Sequence, residues 1–245
     1  MDAALRSLLE WYAEMGVDVP KVPPPRKTRA RRATAPAVTA PAADNAPEPT
    51  QRPVEDLSKV KTLDALQAAM NNFDAGPLTD GARQAVFARG NPDAKLMVIG
   101  EAPGREEDIQ GKPFVGPTGQ LLDRMLGAIG LGEEDYYVTN IMNWRMPQNR
   151  TPKADDIALC RPFIEKHIAL VQPKILLLVG GISMTALTDL TGIMKNHGQW
   201  QDVKIIDQSY RALPIYHPAF LLRRPELKKE AWRDLLSLRE ALLSL

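Results

Sequence analysis

The sequence is poor in cysteine, in long apolar runs and in net charge. Of its 245 residues one is a cysteine, Cys160, which excludes an internal disulfide framework and any site built from several thiolates. No stretch approaches the roughly 20 consecutive apolar residues that a membrane-spanning helix needs. The net charge of +1 at pH 7 excludes a strongly acidic or basic chain and does not by itself indicate a partner.

The composition that remains is that of a globular α/β protein. Apolar residues make up 44% and charged residues 25% of the chain, which is enough to bury one ordinary core. The N-terminus carries Asp2, Glu10 and Glu14 among its apolar residues, which is unlike a secretory signal. We therefore expect a cytoplasmic monomer without a membrane partner.

The N-terminal part of the chain divides into a short helix and a linker. Apolar residues at helical spacing predict a helix within residues 1–18. Residues 19–56 are dominated by Pro, Ala and Thr, and we expect them to be disordered because they can bury too little apolar surface. Their basic arm is either a solvated tether or a non-specific phosphate-binding segment. Its cations are Lys21, Arg26, Lys27, Arg29, Arg31 and Arg32.

Residues 57–245 show the pattern of one folded domain. Apolar runs of strand length lie at residues 95–99, 136–141, 175–179 and 213–216, with a further extended piece at 203–206. Helical patterns lie at about residues 62–73, 119–129, 153–171, 183–190 and 227–243. This alternation predicts a three-layer α/β/α sandwich around a parallel sheet, in which ligands bind at the carboxyl ends of the strands.

The loop after the first predicted strand is rich in turn residues and acids. It reads Gly100-Glu101-Ala102-Pro103-Gly104, and a second glycine-bounded stretch follows around Phe114. Glycine and proline make a tight loop whose backbone N–H groups can approach a ligand closely. The aromatic ring suits a flat group that stacks on it, and the alternative is a plug under the loop.

Polar residues also follow the second and fourth predicted strands. Asn140 offers a donor and an acceptor to one edge of a base, although an Asn at a strand end is often a turn residue. His217 can donate a hydrogen bond to a developing oxyanion. Leu221 and Leu222, beside two arginines, suit a wedge that fills the gap left by a flipped base. The alternative for both leucines is core packing of a short helix.

Three motifs in this order resemble those of family 4 uracil-DNA glycosylases, the iron–sulfur type. The resemblance extends from about residue 72 to residue 243. The first motif comprises residues 100–104, Glu107-Asp108, residues 111–116 and residues 119–123, the second residues 139–141 and 149–152, and the third residues 217–223.

The resemblance implies a four-stranded parallel sheet of order 2-1-3-4 between helical layers. It also implies hydrolysis of the N-glycosidic bond of uracil in DNA after base flipping, with an abasic site as the product. Phe114 then stacks on the uracil, Asn140 reads its O4 and N3–H edge, and His217 donates a hydrogen bond to its O2.

Further residues acquire roles from the same resemblance. Glu101 lies in the loop that holds the base, together with Gly100 and Ala102, and orients the attacking water. Contacts to uracil-containing DNA are expected from Arg150, Gly181, Ser183, Leu221, Arg223 and Arg224. For the arginines, an ordinary surface charge is the alternative.

The chain departs from family 4 at the cluster ligands. Where the family has four cysteines, this chain has Phe73, Gly76, Trp144 and Cys160, and the first three cannot ligate iron. We therefore expect no iron–sulfur cluster and no other metal. Phe73 and Trp144 should fill the volume as an apolar plug, and Cys160 should be a buried helix residue.

Several alternatives remain open. The enzyme could act on other deaminated bases, or the chain could bind damaged DNA without cutting it. A mononucleotide site is disfavoured because Lys112 is followed by Pro113. One branch of the superfamily uses a basic loop whose histidine bonds to the sugar. This chain has residues 153–156, Lys-Ala-Asp-Asp, at that place, so we expect no covalent chemistry, and we interpret His167 and His197 as surface or helix histidines.

Overall fold

The computed structural model describes residues 57–245. The helix predicted within residues 1–18 and the linker predicted at residues 19–56 lie outside the described residues. The division of the chain into these segments and a catalytic domain therefore stays a prediction. Within the described part, no helix has the combination of length and apolar character required to cross a membrane.

The centre of the described fold is a six-stranded sheet. Its strands are β1 (Arg89–Gly90), β2 (Leu96–Gly100), β3 (Tyr136–Asn140), β4 (Ile175–Val179), β5 (Gln201–Ile205) and β6 (Gln208–Ile215). They lie in the order β1-β3-β2-β4-β6-β5. The four inner strands are parallel, and β1 and β5 pair antiparallel at the two edges.

The expected parallel sheet is confirmed. Counted alone, the four parallel strands have the order 2-1-3-4 that the resemblance implied. The structure adds an antiparallel strand at each edge, and this pairing was not predicted. Strand β1 has only two residues, too few to show a periodicity, and β5 is the extended piece at 203–206, which forms a hairpin with β6.

Eight α-helices of the described residues surround the sheet. They are α1 (Leu63–Asn72), α2 (Arg105–Gln110), α3 (Pro117–Gly127), α4 (Ala154–Val171), α5 (Gly181–Leu187), α6 (Ile193–Asn196), α7 (Pro218–Arg223) and α8 (Lys228–Leu243). The longer ones match the helical patterns of the sequence to within a few residues. Thr62 caps α1, because its Oγ1 accepts a hydrogen bond from the N–H of Ala65 at 3.1 Å.

Two apolar cores lie on opposite faces of the sheet. Strand β2 illustrates the division, since Leu96 and Val98 face one core while Met97 and Ile99 face the other. Helices α3, α7 and α8 cover the first core, and α1 and α4 cover the second. Because strands β2, β3 and β4 are parallel neighbours, their carboxyl ends lie at the same edge of the sheet.

Candidate active site

A pocket of about 350 Å³ opens at the carboxyl ends of the parallel strands. It lies where the loops after β2, β3 and β6 meet, as the topology of such sheets dictates. The residues predicted from the sequence that line it together are Glu101, Ala102, Phe114, Asn140, Arg150 and His217. Six residues from separate parts of the chain are thus brought to one site.

Gly100, the last residue of β2, allows the closest approach in this pocket. A Cβ atom at this position would lie 2.5 Å from the ring of Phe114 and closer still to the Oδ1 of Asn140. Any other residue would therefore push the two side chains apart. Gly100 is needed here because it has no side chain, which agrees with the close approach to a ligand that the sequence predicted for this loop.

Phe114 stands in a conformation that few non-glycine residues adopt. Its φ angle is 54°, and its side chain is buried. The Arg89 guanidinium supports this turn, since Nε donates to the carbonyl of Pro113 at 2.9 Å and a terminal nitrogen reaches the carbonyl of Phe114 at 3.4 Å. The same guanidinium forms an ion pair with Asp123 at 2.5 Å. Arg89 therefore joins the edge strand β1 to the loop that presents the ring.

Glu107 closes the first motif into a rigid loop. Its carboxylate accepts hydrogen bonds from the N–H groups of Gly104, Val115 and Gly116 at 3.1, 3.0 and 2.9 Å. The side chain is buried, so these charge-assisted bonds replace its hydration. This role of Glu107 was not predicted from the sequence. Its place three residues after Gly104, at the start of a helix, is the capping-box spacing that could have indicated one.

Asn140 ends β3 with its side chain directed into the pocket. The residue is 2% exposed, and among residues 57–245 its amide has no hydrogen-bond partner. Its donor and its acceptor are therefore available to a ligand. Glu101 lines the same pocket, and burial raises the pKa of its carboxyl above the usual value.

His217 is the N-cap residue of α7. Its Nδ1 accepts a hydrogen bond from the N–H of Ala219 at 3.2 Å, so in the neutral ring the proton resides on Nε2. Burial, assisted by the positive charge of Arg223, lowers the pKa of His217 to about 4. The ring stacks with Phe114 at a centroid distance of 5.9 Å. Near pH 7 the pocket thus contains a neutral imidazole that donates from Nε2.

A family model described as the uracil DNA glycosylase superfamily matches residues 87–236. This span covers well over half of the chain and contains the pocket. The chain belongs to the uracil-DNA glycosylase superfamily.

Type-4 uracil-DNA glycosylases are among the relatives of this superfamily member. The enzyme of Saccharolobus solfataricus is 38% identical over 168 residues, which cover 66% of this chain and 78% of the relative. The enzyme of Archaeoglobus fulgidus is 35% identical over 59% of this chain and 75% of its own length. For Pyrobaculum aerophilum the identity is 34%, over 71% of this chain and 91% of the relative.

The residues predicted to contact DNA differ in how the glycosylase fold presents them. Arg150 lines the pocket and forms a two-point ion pair with Asp156, with distances of 2.5 and 3.0 Å. This pair holds the pKa of the Asp156 carboxyl below its usual value. Arg223 is exposed and unpaired among the described residues, whereas Arg224 pairs with Glu226.

The other residues that were predicted to contact DNA lie on helices α5 and α7. Gly181 begins α5, but Ser183 is 0% exposed and its hydroxyl donates to the carbonyl of Gly180 at 3.1 Å, so its side chain is not available to a phosphate. Leu221 is 0% exposed and belongs to the core, as in the packing alternative. Leu222 is 49% exposed and is the leucine of this pair that can contact a partner.

Aromatic rings occupy the region of the family's cluster ligands. Phe73 and Trp144 are buried with ring centroids 6.1 Å apart, and Phe163 packs edge-on against Phe73 at 5.0 Å. Cys160 is buried in α4, as predicted, and burial raises the pKa of its thiol to about 12. One protonated thiol beside three rings does not fit a cluster that needs four thiolates. Elsewhere in residues 57–245, no group of three or more His, Cys, Asp or Glu could hold a metal ion.

Proposed function

We propose that this protein hydrolyses the N-glycosidic bond of uracil in DNA after base flipping and leaves an abasic site. One observation carries the proposal: the side chains of Phe114, Asn140 and His217 line a single pocket. A flipped base needs a ring to stack on, an edge to read it and a donor for its leaving charge. The names of the type-4 relatives support the same chemistry.

Base recognition falls to Phe114 and Asn140. Stacking on the aromatic ring contributes roughly 1–3 kcal/mol per base and does not distinguish bases. The free amide of Asn140 pairs with the O4 and N3–H of uracil and mismatches the corresponding edge of cytosine. Because a buried polar edge left mispaired costs a factor of about 10⁴ or more, this one side chain can set the selectivity.

Leaving-group stabilisation falls to His217. Cleavage of the C1′–N1 bond leaves negative charge on uracil O2 and positive charge on the sugar. The neutral imidazole donates its Nε2–H to the O2, and backbone N–H groups of Gly100 and Ala102 add to this stabilisation. Glu101 orients the water that attacks C1′, and a carboxylate there also favours a cationic sugar.

The DNA strand lies across the mouth of this pocket in the proposed complex. Leu222 on α7 enters the gap left by the flipped nucleotide, in place of the buried Leu221. Arg150, Arg223 and Arg224 contact phosphates, together with the backbone N–H group of Gly181 at the start of α5.

Catalysis in this proposal needs no iron–sulfur cluster. The packed rings of Phe73 and Trp144 support it, since they take the volume that ligands would need. Iron and sulfide analysis of the purified protein tests the point. Four irons per chain would refute it.

The central experiment uses a labelled DNA strand with one uracil, no added metal, and alkaline cleavage of abasic sites. The parent should cut, and His217→Ala should slow excision by about 10²–10³, since this is the usual effect of removing one oxyanion donor. Asn140→Asp should weaken uracil excision and relax discrimination against cytosine. Lys229→Ala is a matched control, because Lys229 is exposed and outside the pocket.

Three outcomes are distinguished. Excision at the parent rate in His217→Ala would refute the role of the histidine. An uncut strand that still shifts in a gel would favour a protein that binds damage without cutting. An uncut and unshifted strand would direct the test to other deaminated bases.

We also propose that the protein acts as a cytoplasmic monomer. The pocket is complete within one chain, which supports this state. Light scattering during size-exclusion chromatography tests it, and a dimeric mass would contradict it.

A further inference from the structure

His197 has contacts that its interpretation as a surface or helix histidine did not predict. It follows α6, outside the pocket, and its side chain is 17% exposed. Its Nδ1 lies 2.8 Å from the Oδ2 of Asp234, and its Nε2 lies 3.5 Å from the Oε2 of Glu230. Both carboxylates belong to α8, so the imidazole bridges two acids of that helix.

The face of the same imidazole covers Tyr216. The two ring centroids are 4.1 Å apart, with the planes 29° from parallel. The hydroxyl of Tyr216 donates to the Oε2 of Glu230 at 3.1 Å, and Phe220 packs against the tyrosine ring at 5.6 Å. Tyr216 is 0% exposed. Its ring is therefore held by His197, by Phe220 and, at its tip, by Glu230.

Tyr216 directly precedes His217, and Phe220 follows it by three residues. The N–H of Phe220 donates to the carbonyl of His217 at 2.8 Å, which closes the turn that carries the imidazole. The rings of Tyr216 and Phe220, which lie on either side of His217 in the sequence, thus pack against each other. Any movement of the Tyr216 ring displaces the backbone on either side of His217.

The segment that bears His197 is itself tied to the sheet. The N–H of Gly198 donates to the carbonyl of Pro214 in β6 at 2.8 Å. A Cβ atom on Gly198 would overlap the carboxylate of Asp234, so the backbone here lies directly against that acid. His197 and Gly198 together therefore connect α6, β6 and α8.

We propose that His197 is a positioning residue that fixes the Nε2–H of His217 through Tyr216. The proposal rests on the proposed function, because it assigns His217 as the donor to the leaving base. A displacement of about 1 Å at a reacting group can cost around 10²-fold in rate. Removal of the ring that covers Tyr216 should allow a displacement of this kind without changing any atom of the pocket.

Single-turnover excision with enzyme in excess separates the chemical rate from DNA binding. We expect His197→Ala to lower the chemical rate about 10- to 100-fold, and to leave the Kd for uracil-containing DNA within about twofold. Asp234→Asn keeps an acceptor for the Nδ1–H and should stay within about threefold of the parent rate. A merely structural histidine would lower the melting temperature and leave the rate unchanged.

His167→Gln is the matched control for lost stability. His167 is a buried histidine that shares a hydrogen bond with the hydroxyl of Tyr137, but it lies in α4 on the other face of the sheet. We expect this variant to melt earlier and to cut at the parent rate when folded. An equal loss of rate in His167→Gln would overturn the proposal.

A double variant gives the sharpest test. If His197 acts through His217, then adding His197→Ala to His217→Ala should change the residual rate by less than twofold. A further loss in the double variant, or a parent-like rate in His197→Ala, would overturn the proposal. If His197→Ala does not fold, His197→Gln keeps a bond to Asp234 while uncovering Tyr216, and the same comparisons apply. A parent that does not cut uracil would refute the proposed function instead.

Discussion

Replacement of Gly100 by alanine tests the geometry of the pocket with a single methyl group. The added Cβ would lie 2.5 Å from the ring of Phe114, whereas ordinary contacts of a Cβ begin at 3.4 Å. The ring must therefore retreat by about 0.9 Å, and the side chain of Asn140, which lies closer still, must also move. Both residues are assigned to the base, so the substitution misplaces its recognition without removing a functional group.

The expected effect is larger on activity than on stability. A displacement near 1 Å predicts a loss of up to about 100-fold in the single-turnover rate of uracil excision. Overpacking of this kind destabilises a fold by about 1–3 kcal/mol, which denaturant unfolding measures. Gly100→Ala should therefore remain folded at 25 °C while cutting slowly.

Gly127→Ala is the matched control. Gly127 ends α3, and a Cβ atom there would meet nothing within 4 Å. The same chemical change should leave excision unaltered and stabilise the protein by up to about 1 kcal/mol, because alanine favours the helix. If Gly100→Ala cuts as fast as Gly127→Ala, the close approach of Gly100, Phe114 and Asn140 does not govern catalysis.

Four further predictions follow from the same structure. Glu107→Gln should destabilise the protein by about 1–3 kcal/mol and slow excision, because one amide oxygen cannot accept all three backbone N–H bonds; unchanged unfolding would contradict this. Trp144→Ala should cost about 3–5 kcal/mol in denaturant unfolding, as loss of a buried ring does, and a cost below 1 kcal/mol would show that the ring is not a plug. Leu222→Ala should slow excision from duplex DNA more than from single strands, and equal slowing would exclude a wedge. Burial lowers the pKa of His167 to about 3. Below about pH 6.5 His167 is protonated in the unfolded chain but stays neutral in the folded protein. The free energy of unfolding therefore decreases by about 1.4 kcal/mol for each unit by which the pH is lowered. Replacing His167 and Tyr137 together by Phe should reduce the loss between pH 6.5 and pH 5 by about 2 kcal/mol, and an unchanged loss would exclude His167 as its source.

The parallel part of the sheet could be predicted because its strands contain short runs of mostly apolar residues with helical patterns between them. Strand β4, for example, is found at Ile175–Val179, where the apolar run predicted it. The edge strands could not be predicted in the same way. Strand β5 alternates exposed and buried residues only over part of its length. Strand β1 consists of two residues, and the side chain of one of them, Arg89, forms an ion pair with Asp123, which is distant in sequence.

The pocket residues were predictable because loop composition and strand ends carry a signal that is local in sequence. The two leucines of α7 show where that signal stops. Leu221 and Leu222 are adjacent and chemically identical, yet one lies in the core and the other is half exposed. The rotation of the six-residue helix α7 about its axis determines which leucine is buried, and the sequence of the helix is compatible with either orientation. His197 was missed for a related reason, since both of its acidic partners lie more than 30 residues away in the chain.

The guanidinium of Arg89 links a marginal edge of the sheet to the loop that holds the stacking ring. A two-residue edge strand frays readily, because little backbone pairing opposes its opening. Each opening of β1 withdraws the donor to the Pro113 carbonyl and frees the left-handed turn at Phe114. By linkage, a base bound on that ring must slow hydrogen exchange at the amides of β1, although it touches none of them. Hydrogen exchange at the amides of β1 should therefore report whether a base occupies the pocket.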